Sequence, residues 1–459
     1  MQACKLGFVA LLYLPFCVCI DSQHALRVTP PSPPLDKGTT LTVLRQPAPG
    51  SRVMLTAAVA PPPLSKRQRL TVLVVGMALC NDVLLLLMLV PMLPALLPAS
   101  AALSPFGLAC LFSAKDLMQL LFAPLAGAFT LRAGAQNSLT ASLLALSAAT
   151  VAFAEARSFG ALLLARALQG IASAALMSGG LTLVAQTHTA SQRSAAIATA
   201  QSGLGVGATL GPVLGGLLLD GIGKRATFYL AAALVALNGA AALTLAITSP
   251  APLVPSSAAE RRGAREPPLR QLLSLVRHRD IAVVAMGILA QFAAGGCFDA
   301  LFGVHLADAF GIGPRGASLR FALEPLTYLI TLAILTPRMA HANKAHYSAF
   351  GLGLTALSLP ALTAGSRIES VTVATVLHGI GYGFKDAACH GLLAQIVERS
   401  GVGSFAMAFS LADVADSLGY VIGPPLGSAL CAALGKTGGL SVLALMIAAL
   451  LPAMVAVEG

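Results

Sequence analysis

The chain has 459 residues, of which 56% are hydrophobic and only 10% charged. Soluble domains carry about 25% charged residues, so there is too little charge here to cover a water-facing surface of this size. The net charge of +11 does not point to nucleic acid: Lys66, Arg67 and Arg69 precede the first apolar run, and Arg261, Arg262, Arg265, Arg270, Arg277 and Arg279 share one central loop, which is a topology signal.

Residues 1–65 form an N-terminal extension. Lys5 followed by the apolar run Leu6 to Ile20 resembles a signal-peptide core, too short to span comfortably. Residues 21–64 are Pro-rich and read as disordered. A signal, a targeting extension and an artefact of the assigned start all stay open. Twelve membrane spans are then predicted, at about 70–98, 104–131, 138–156, 159–186, 192–219, 226–248, 280–309, 317–337, 345–365, 368–397, 404–431 and 437–456. The segment 250–279, rich in Pro, Ser, Ala and Arg, reads as a cytoplasmic linker between six-helix bundles at 66–249 and 280–459. The expected fold is all-α, with twelve transmembrane helices in two six-helix bundles.

The halves echo one another. Gly211-Pro212-Val213-Leu214-Gly215-Gly216 in span five returns as Gly423-Pro424-Pro425-Leu426-Gly427-Ser428 in span eleven, and Leu168-Gln169-Gly170-Ile171 in span four as Leu377-His378-Gly379-Ile380 in span ten. The offsets are 212 and 209 residues, and two motifs repeating at nearly one offset imply parallel repeats with a solute site between them. Basic residues favour the loops that this topology puts inside. The eight cysteines show neither a CxxC nor a His-spaced cluster, so no metal site, disulfide framework or cofactor is expected.

Ionisable residues inside a span cost roughly 2.5–3.5 kcal/mol each and tend to mark pathways or proton relays. Here they are Asp82, Lys115, Asp116, Arg166, Asp299, Glu324, Lys385, Asp386, Asp413 and Asp416, with carboxylates in the majority. An acidic cavity attracts cations, and a protonated carboxylate releases them, so one group can exchange protons for solute. Asp116, Lys385 and Glu324 are read instead as charges that fix helix register or reach a water interface. Asp413, Asp416 and Tyr420 share one stripe of span eleven, better explained by a cavity than by lipid. Gly203, Gly205, Gly207, Gly211, Gly215 and Gly216 bare one face of span five for close packing that also serves as a hinge. None of them follows a strand, which excludes a nucleotide loop.

The sequence Gly207-x-x-x-Gly211-Pro212-x-x-Gly215-Gly216 resembles the antiporter motif of the major facilitator drug/proton exchangers, and Arg166-Ala-Leu-Gln169-Gly170 resembles their span-four arginine motif. Within that superfamily the chain is most similar to the vesicular amine transporters, over about residues 66–455, most strongly at Lys66 to Pro94, Ser113 to Gly127 and Gly383 to Gly427. The resemblance implies that Asp82 faces the substrate amine and that Asp299 stands for a span-seven glutamate with a similar role. It implies that Lys115, in the Ser-Lys-x-x-x-Gln pattern with Gln119, pairs with Asp413, and that Asp386 serves proton coupling. Tyr328 and Tyr420 match aromatic cavity residues. Val83 follows Asp82 where the family has Asn, Leu131 replaces an acidic residue or Asn, and the loop after span one is short.

The function expected is therefore transport, not catalysis: proton-coupled antiport of a small organic cation, by a monomer, in the bilayer of a vesicle- or vacuole-type organelle or of the plasma membrane. A broad drug exporter of the same fold and a non-transporting receptor or scaffold are the alternatives. Only the first two would show counterflow.

Overall fold

The computed structural model describes residues 64–89, 105–248, 266–312, 314–365 and 367–457. Most of the N-terminal extension and the first part of the linker therefore lie outside the described residues. The first half holds α1 (Lys66–Leu87), α2 (Pro105–Ala133), α3 (Ala135–Glu155), α4 (Phe159–Thr187), α5 (Ala190–Leu219) and α6 (Gly221–Thr248). A linker helix α7 (Pro268–Val276) leads to the second half: α8 (Arg279–Phe310), α9 (Pro314–Phe321), α10 (Leu323–Leu335), α11 (Lys344–Ala364), α12 (Ile368–Ser400), α13 (Phe405–Ala448) and the short α14 (Leu451–Val455). Among the described residues, nine stretches are long and apolar enough to cross a membrane, including Phe405–Val455, whose 51 residues cross twice. The 29-residue α2 and the 33-residue α12, rich in buried ionisable groups, run alongside and complete the twelve.

Local chemistry sets the ends of these helices. Ser65 opens α1 with a capping box, its Oγ accepting from the Gln68 amide at 3.2 Å while the Gln68 side chain accepts from the Ser65 amide at 2.8 Å. Ser158, Asn343 and Ser404 cap α4, α11 and α13 in the simpler way. Two tight turns need glycine outright. Gly223 (φ 78°, ψ 169°) breaks the run from α5 to α6, and Gly435 (φ 77°, ψ 163°) breaks α13 into its two crossings. The dihedrals nearly coincide, and the positions differ by the same 212 residues as the Gly-Pro motifs.

Each half has its own apolar core. One is built from residues of α1 and α3 to α6, such as Leu79, Leu139, Leu176 and Phe228. The other is built mainly from α8 and α11 to α13, such as Ile288, Leu352, Leu392 and Leu440. Exposed apolar side chains, among them Leu125, Leu164, Leu217, Ile247, Ile330 and Leu445, cover the outside, as a hydrocarbon surround requires. The halves meet where α2 packs on α13 and where α5 packs on α10 and α12.

The repeat extends to packing. A Cβ at Gly170 on α4 would strike the backbone oxygen of Lys115 on α2; one at Gly379 on α12 would strike that of Glu324 on α10. Likewise Gly207 closes on Cys80 and Leu84 of α1, and Gly419 closes on Leu289 and Ala293 of α8. In each pair the glycines and their targets stand at corresponding positions of the two halves. Lys115 and Glu324 are thus equivalent sites carrying opposite charge.

Candidate functional site

Between the halves lies a cavity of about 210 Å³. Its walls carry Asp82, Lys115 and Asp116 from the first half, and Asp299, Glu324, Asp386 and Asp416 from the second. Phe292, Tyr328, Tyr382 and Tyr420 supply aromatic surface, with Phe292 5.6 Å from the Tyr382 ring and 5.3 Å from the Tyr420 ring. Aromatic faces beside carboxylates suit an alkylammonium, which is attracted to both.

Two of the carboxylates are already held by resident lysines. Lys115 Nζ lies 3.1 Å from Asp82 Oδ2 and donates to Gln119 Oε1 at 3.0 Å; the Ser173 hydroxyl donates to Asp82 Oδ1. Lys385 Nζ lies 2.6 Å from Asp386 Oδ1 and 4.5 Å above the Phe292 ring, while the Tyr328 hydroxyl donates to Asp386 Oδ2 at 3.2 Å. Both lysines are buried. Their charge is what permits the neighbouring carboxylates to be buried as well.

The sequence residues fall as follows. Asp82, Asp299, Tyr328, Tyr420, Asp386 and Lys115 line the cavity. Asp413 sits one turn inward from Asp416, where Gln119 Nε2 donates to its Oδ1 at 2.6 Å and its Oδ2 has no partner. The expected Lys115–Asp413 pair is corrected accordingly: Lys115 pairs with Asp82, and Gln119 relays it to Asp413. Arg166 lies outside the wall, fully buried, donating from Nη1 to Gln169 Oε1 at 2.9 Å and from Nε towards the Leu111 carbonyl at 3.5 Å. Gln169 in turn donates to Thr150 at 3.3 Å, so the span-four motif braces the back of the site. Gly170, Gly207, Gly211 and Gly215 each sit against backbone of α1 or α2. Pro212 and Gly216 lie on the same helix, half-buried.

Three positions read as register or interface charges need revision. Asp116 and Glu324 line the cavity, because α2 and the α9–α10 unit extend far enough to carry them there. Lys385 does fix a partner, but that partner is the cavity carboxylate next to it. Gln119, Tyr382 and Phe292 were not singled out as wall residues; the Ser-Lys-x-x-x-Gln spacing already placed Gln119 one turn from Lys115.

The cavity is closed towards the inner end of the molecule, the end that begins with Lys66, Arg67 and Arg69. Hydrogen bonds crossing between the halves run from the middle to that end. Ser410 Oγ donates to the Ala123 carbonyl at 2.5 Å, Ser178 Oγ to the Ala406 carbonyl at 3.1 Å, and Gln201 Nε2 to His390 Nδ1 at 2.9 Å. At the rim Arg193 pairs with Glu398 and lies 4.8 Å from the Phe405 ring centre. Burial holds His188, in the α4–α5 loop behind Arg193, below the ordinary imidazole range. Outward, the lining continues to Leu87 and Phe321, near the opposite helix ends.

Two six-helix halves around a central, charge-lined and one-sided cavity define a membrane transporter. The sequence profile of the Major Facilitator Superfamily matches residues 71–304, half of the chain, and the chain belongs to that family. It is 27% identical over 329 residues to the synaptic vesicular amine transporter of Bos taurus, covering 71% of this chain and 61% of that protein. It is 26% identical over 369 residues to a probable vesicular acetylcholine transporter-B of Danio rerio, covering 78% and 73%. The chain thus spans about three fifths of the length of the amine transporters that it resembles. Among solved structures, the human organic anion transporter MFSD10 (TETRAN) matches 86% of this chain and 100% of its own, with a TM-score of 0.73 at 17% identity, a likeness of fold alone.

Proposed function

We propose that the protein exchanges protons for an organic cation by alternating access, with 66–249 and 280–459 rocking as two bodies about the cavity. The observation that carries this reading is the convergence of carboxylates from both halves on one central space. The similar proteins named for amines and acetylcholine support the cation, and by extension an acidic vesicle-type organelle as the site of action.

In the state described, the cavity faces the outer or lumenal side. A protonated amine entering it meets Asp299 and Tyr420 first and Asp82 and Tyr328 deeper. To reach Asp82 the amine displaces Lys115, which has a second acceptor one relay away in the unpartnered oxygen of Asp413. Binding at one end of the cavity is thereby coupled to the α2–α13 contact that the halves share. A proton arriving on Asp386 breaks its pair with Lys385, and the freed ammonium repels a bound cation. Proton and solute therefore exclude one another, which is the condition for exchange.

The test is pH-gradient-driven uptake of a panel of amines into proteoliposomes, with wild type beside Asp386→Asn. The variant mimics protonated Asp386, so it should bind amine more weakly and lose gradient-driven uptake; equal uptake by both would remove Asp386 from the coupling. Bulky, chemically unrelated cations in the same panel separate an amine carrier from a broad drug exporter.

A further inference from the structure

One pair, a histidine behind the cavity wall and a carboxylate on it, takes no part in the exchange just described. His378 on α12 is fully buried, stacked on Phe298 at 4.2 Å and 9°. Its Nδ1 lies 2.8 Å from Ser358 Oγ, and Ser358 gives its hydrogen to the Thr355 carbonyl at 2.7 Å. A hydroxyl has one hydrogen to give, so Nδ1–H donates to Ser358 and the lone pair of a neutral ring sits on Nε2. That Nε2 has no hydrogen-bond partner and stands 3.7 Å from Glu324 Oε1, on the cavity wall. A buried core histidine ordinarily has both nitrogens satisfied. Here one nitrogen is left facing a carboxylate, and the two can join only if they hold a proton between them. The contact is forced by the glycine seam, because Gly379, next to His378, brings α12 directly onto the Glu324 backbone.

We propose that Glu324 and His378 form one proton-binding site in the second half of the cavity wall, filled from the cavity water. On filling, a hydronium ion in the cavity water gives up one O–H bond and leaves as water, and its proton forms either an O–H bond at Glu324 pointing at Nε2 or an N–H bond at Nε2 pointing at the carboxylate; no other bond changes. Either way one negative charge leaves the wall beside Asp299. The inference rests on reading the cavity as a cation site only for its consequence, which is that a proton here weakens solute binding at the outer carboxylates.

The surroundings favour a discrete titration. Asp299 on α8 lies within charge-interaction range of Glu324. Tyr382 on α12 and Tyr420 and Asp416 on α13 face the same space, and Asp116 on α2 faces it from across the cavity. Arg320 on α9, four residues before Glu324, turns away to donate to the Gly316 carbonyl at 3.2 Å. Lys115 on α2 lines the same cavity but is engaged by Asp82 and Gln119, the groups facing Glu324 from α8 and α13 are anionic or phenolic, and His378 is the base that meets it from α12.

Infrared difference spectra between acidic and alkaline pH, recorded on the full chain in lipid nanodiscs with no solute present, test the site. A protonated-carboxyl band that shifts on ¹³C-labelling of glutamate is expected in wild type. It should vanish in Glu324→Gln and be replaced in Glu324→Asp by a carboxyl band that the glutamate label does not shift, and its midpoint should move by at least one pH unit in His378→Gln and in Ser358→Ala. Should Glu324→Gln not fold, the labelled wild type and Ser358→Ala decide alone. No glutamate band in wild type, or midpoints unmoved by both the His378 and Ser358 variants, overturns the proposal. Because no solute is involved, a chain that takes up no amine yet shows the band keeps the proton site and loses only the cation reading.

Discussion

At the residue scale, the site is ordered by which charges already have partners. Asp82 and Lys115 neutralise each other in a nearly dry position, so removing one leaves the other uncompensated, at a cost of about 3–5 kcal/mol. Lys115→Met should therefore lower the thermal unfolding midpoint of the purified protein more than the double variant Asp82→Asn/Lys115→Met does. A double variant no more stable than the single one would show that the pair contributes little. Asp413→Asn should behave differently. It keeps an acceptor for Gln119 but removes the second acceptor proposed for Lys115, so folding should be preserved while uptake falls at least tenfold, measured as the initial rate in proteoliposomes. Wild-type uptake would argue that Lys115 never reaches this side. Which partner Lys115 takes was not legible in the sequence, because Asp82 and Asp413 are both carboxylates and only the tertiary placement of Gln119 separates them. The Lys385–Asp386 pair was half legible: adjacency showed that they can neutralise one another, but not that Phe292 and Tyr328 complete the cage.

At the scale of elements, glycine sets how closely helices approach, and approach sets which side chains can meet. Gly170→Ala would press a methyl group onto the Lys115 backbone and Gly379→Ala one onto that of Glu324, each costing about 1–3 kcal/mol through overpacking. Both variants should lower the unfolding midpoint, whereas Gly160→Ala on α4, with open space around it, should leave it unchanged. Equal midpoints for all three would mean that the seams yield easily. The spans were legible because apolar runs of membrane length are hard to confuse with anything else, and the motif offsets already implied a repeat. Span ends were less so. Asp116 and Glu324 read as interface charges because apolar content fades around them, while the backbone continues as helix through that polarity and presents them to the cavity. Hydropathy sees the side chain and misses the helix it belongs to.

At the scale of the whole molecule, the two halves touch through a short set of polar bonds on one side of the cavity. Arg193–Glu398 is the outermost, and Glu398 is partly open to water, so the pair alone holds the bodies weakly. Glu398→Arg should shift the population towards the opposite opening, and the charge swap Arg193→Glu/Glu398→Arg should restore it, read as distances between spin labels on the inner ends of α4 and α12. A charge swap that leaves the shift in place would show that the Ser178, Ser410 and Gln201 bonds decide closure without it. The matched positions of Lys115 and Glu324 carry a further consequence. Duplicated geometry with unlike charge gives the central space an electrical compass: among the described residues, the second half lines it with Asp299, Glu324, Asp386 and Asp416, of which Asp386 is paired with Lys385, while the first half lines it with Asp82 and Asp116 beside Lys115. If the proposed cation is elongated, its positive end will be drawn first towards the later helices and will cross towards Asp82 only as Lys115 yields.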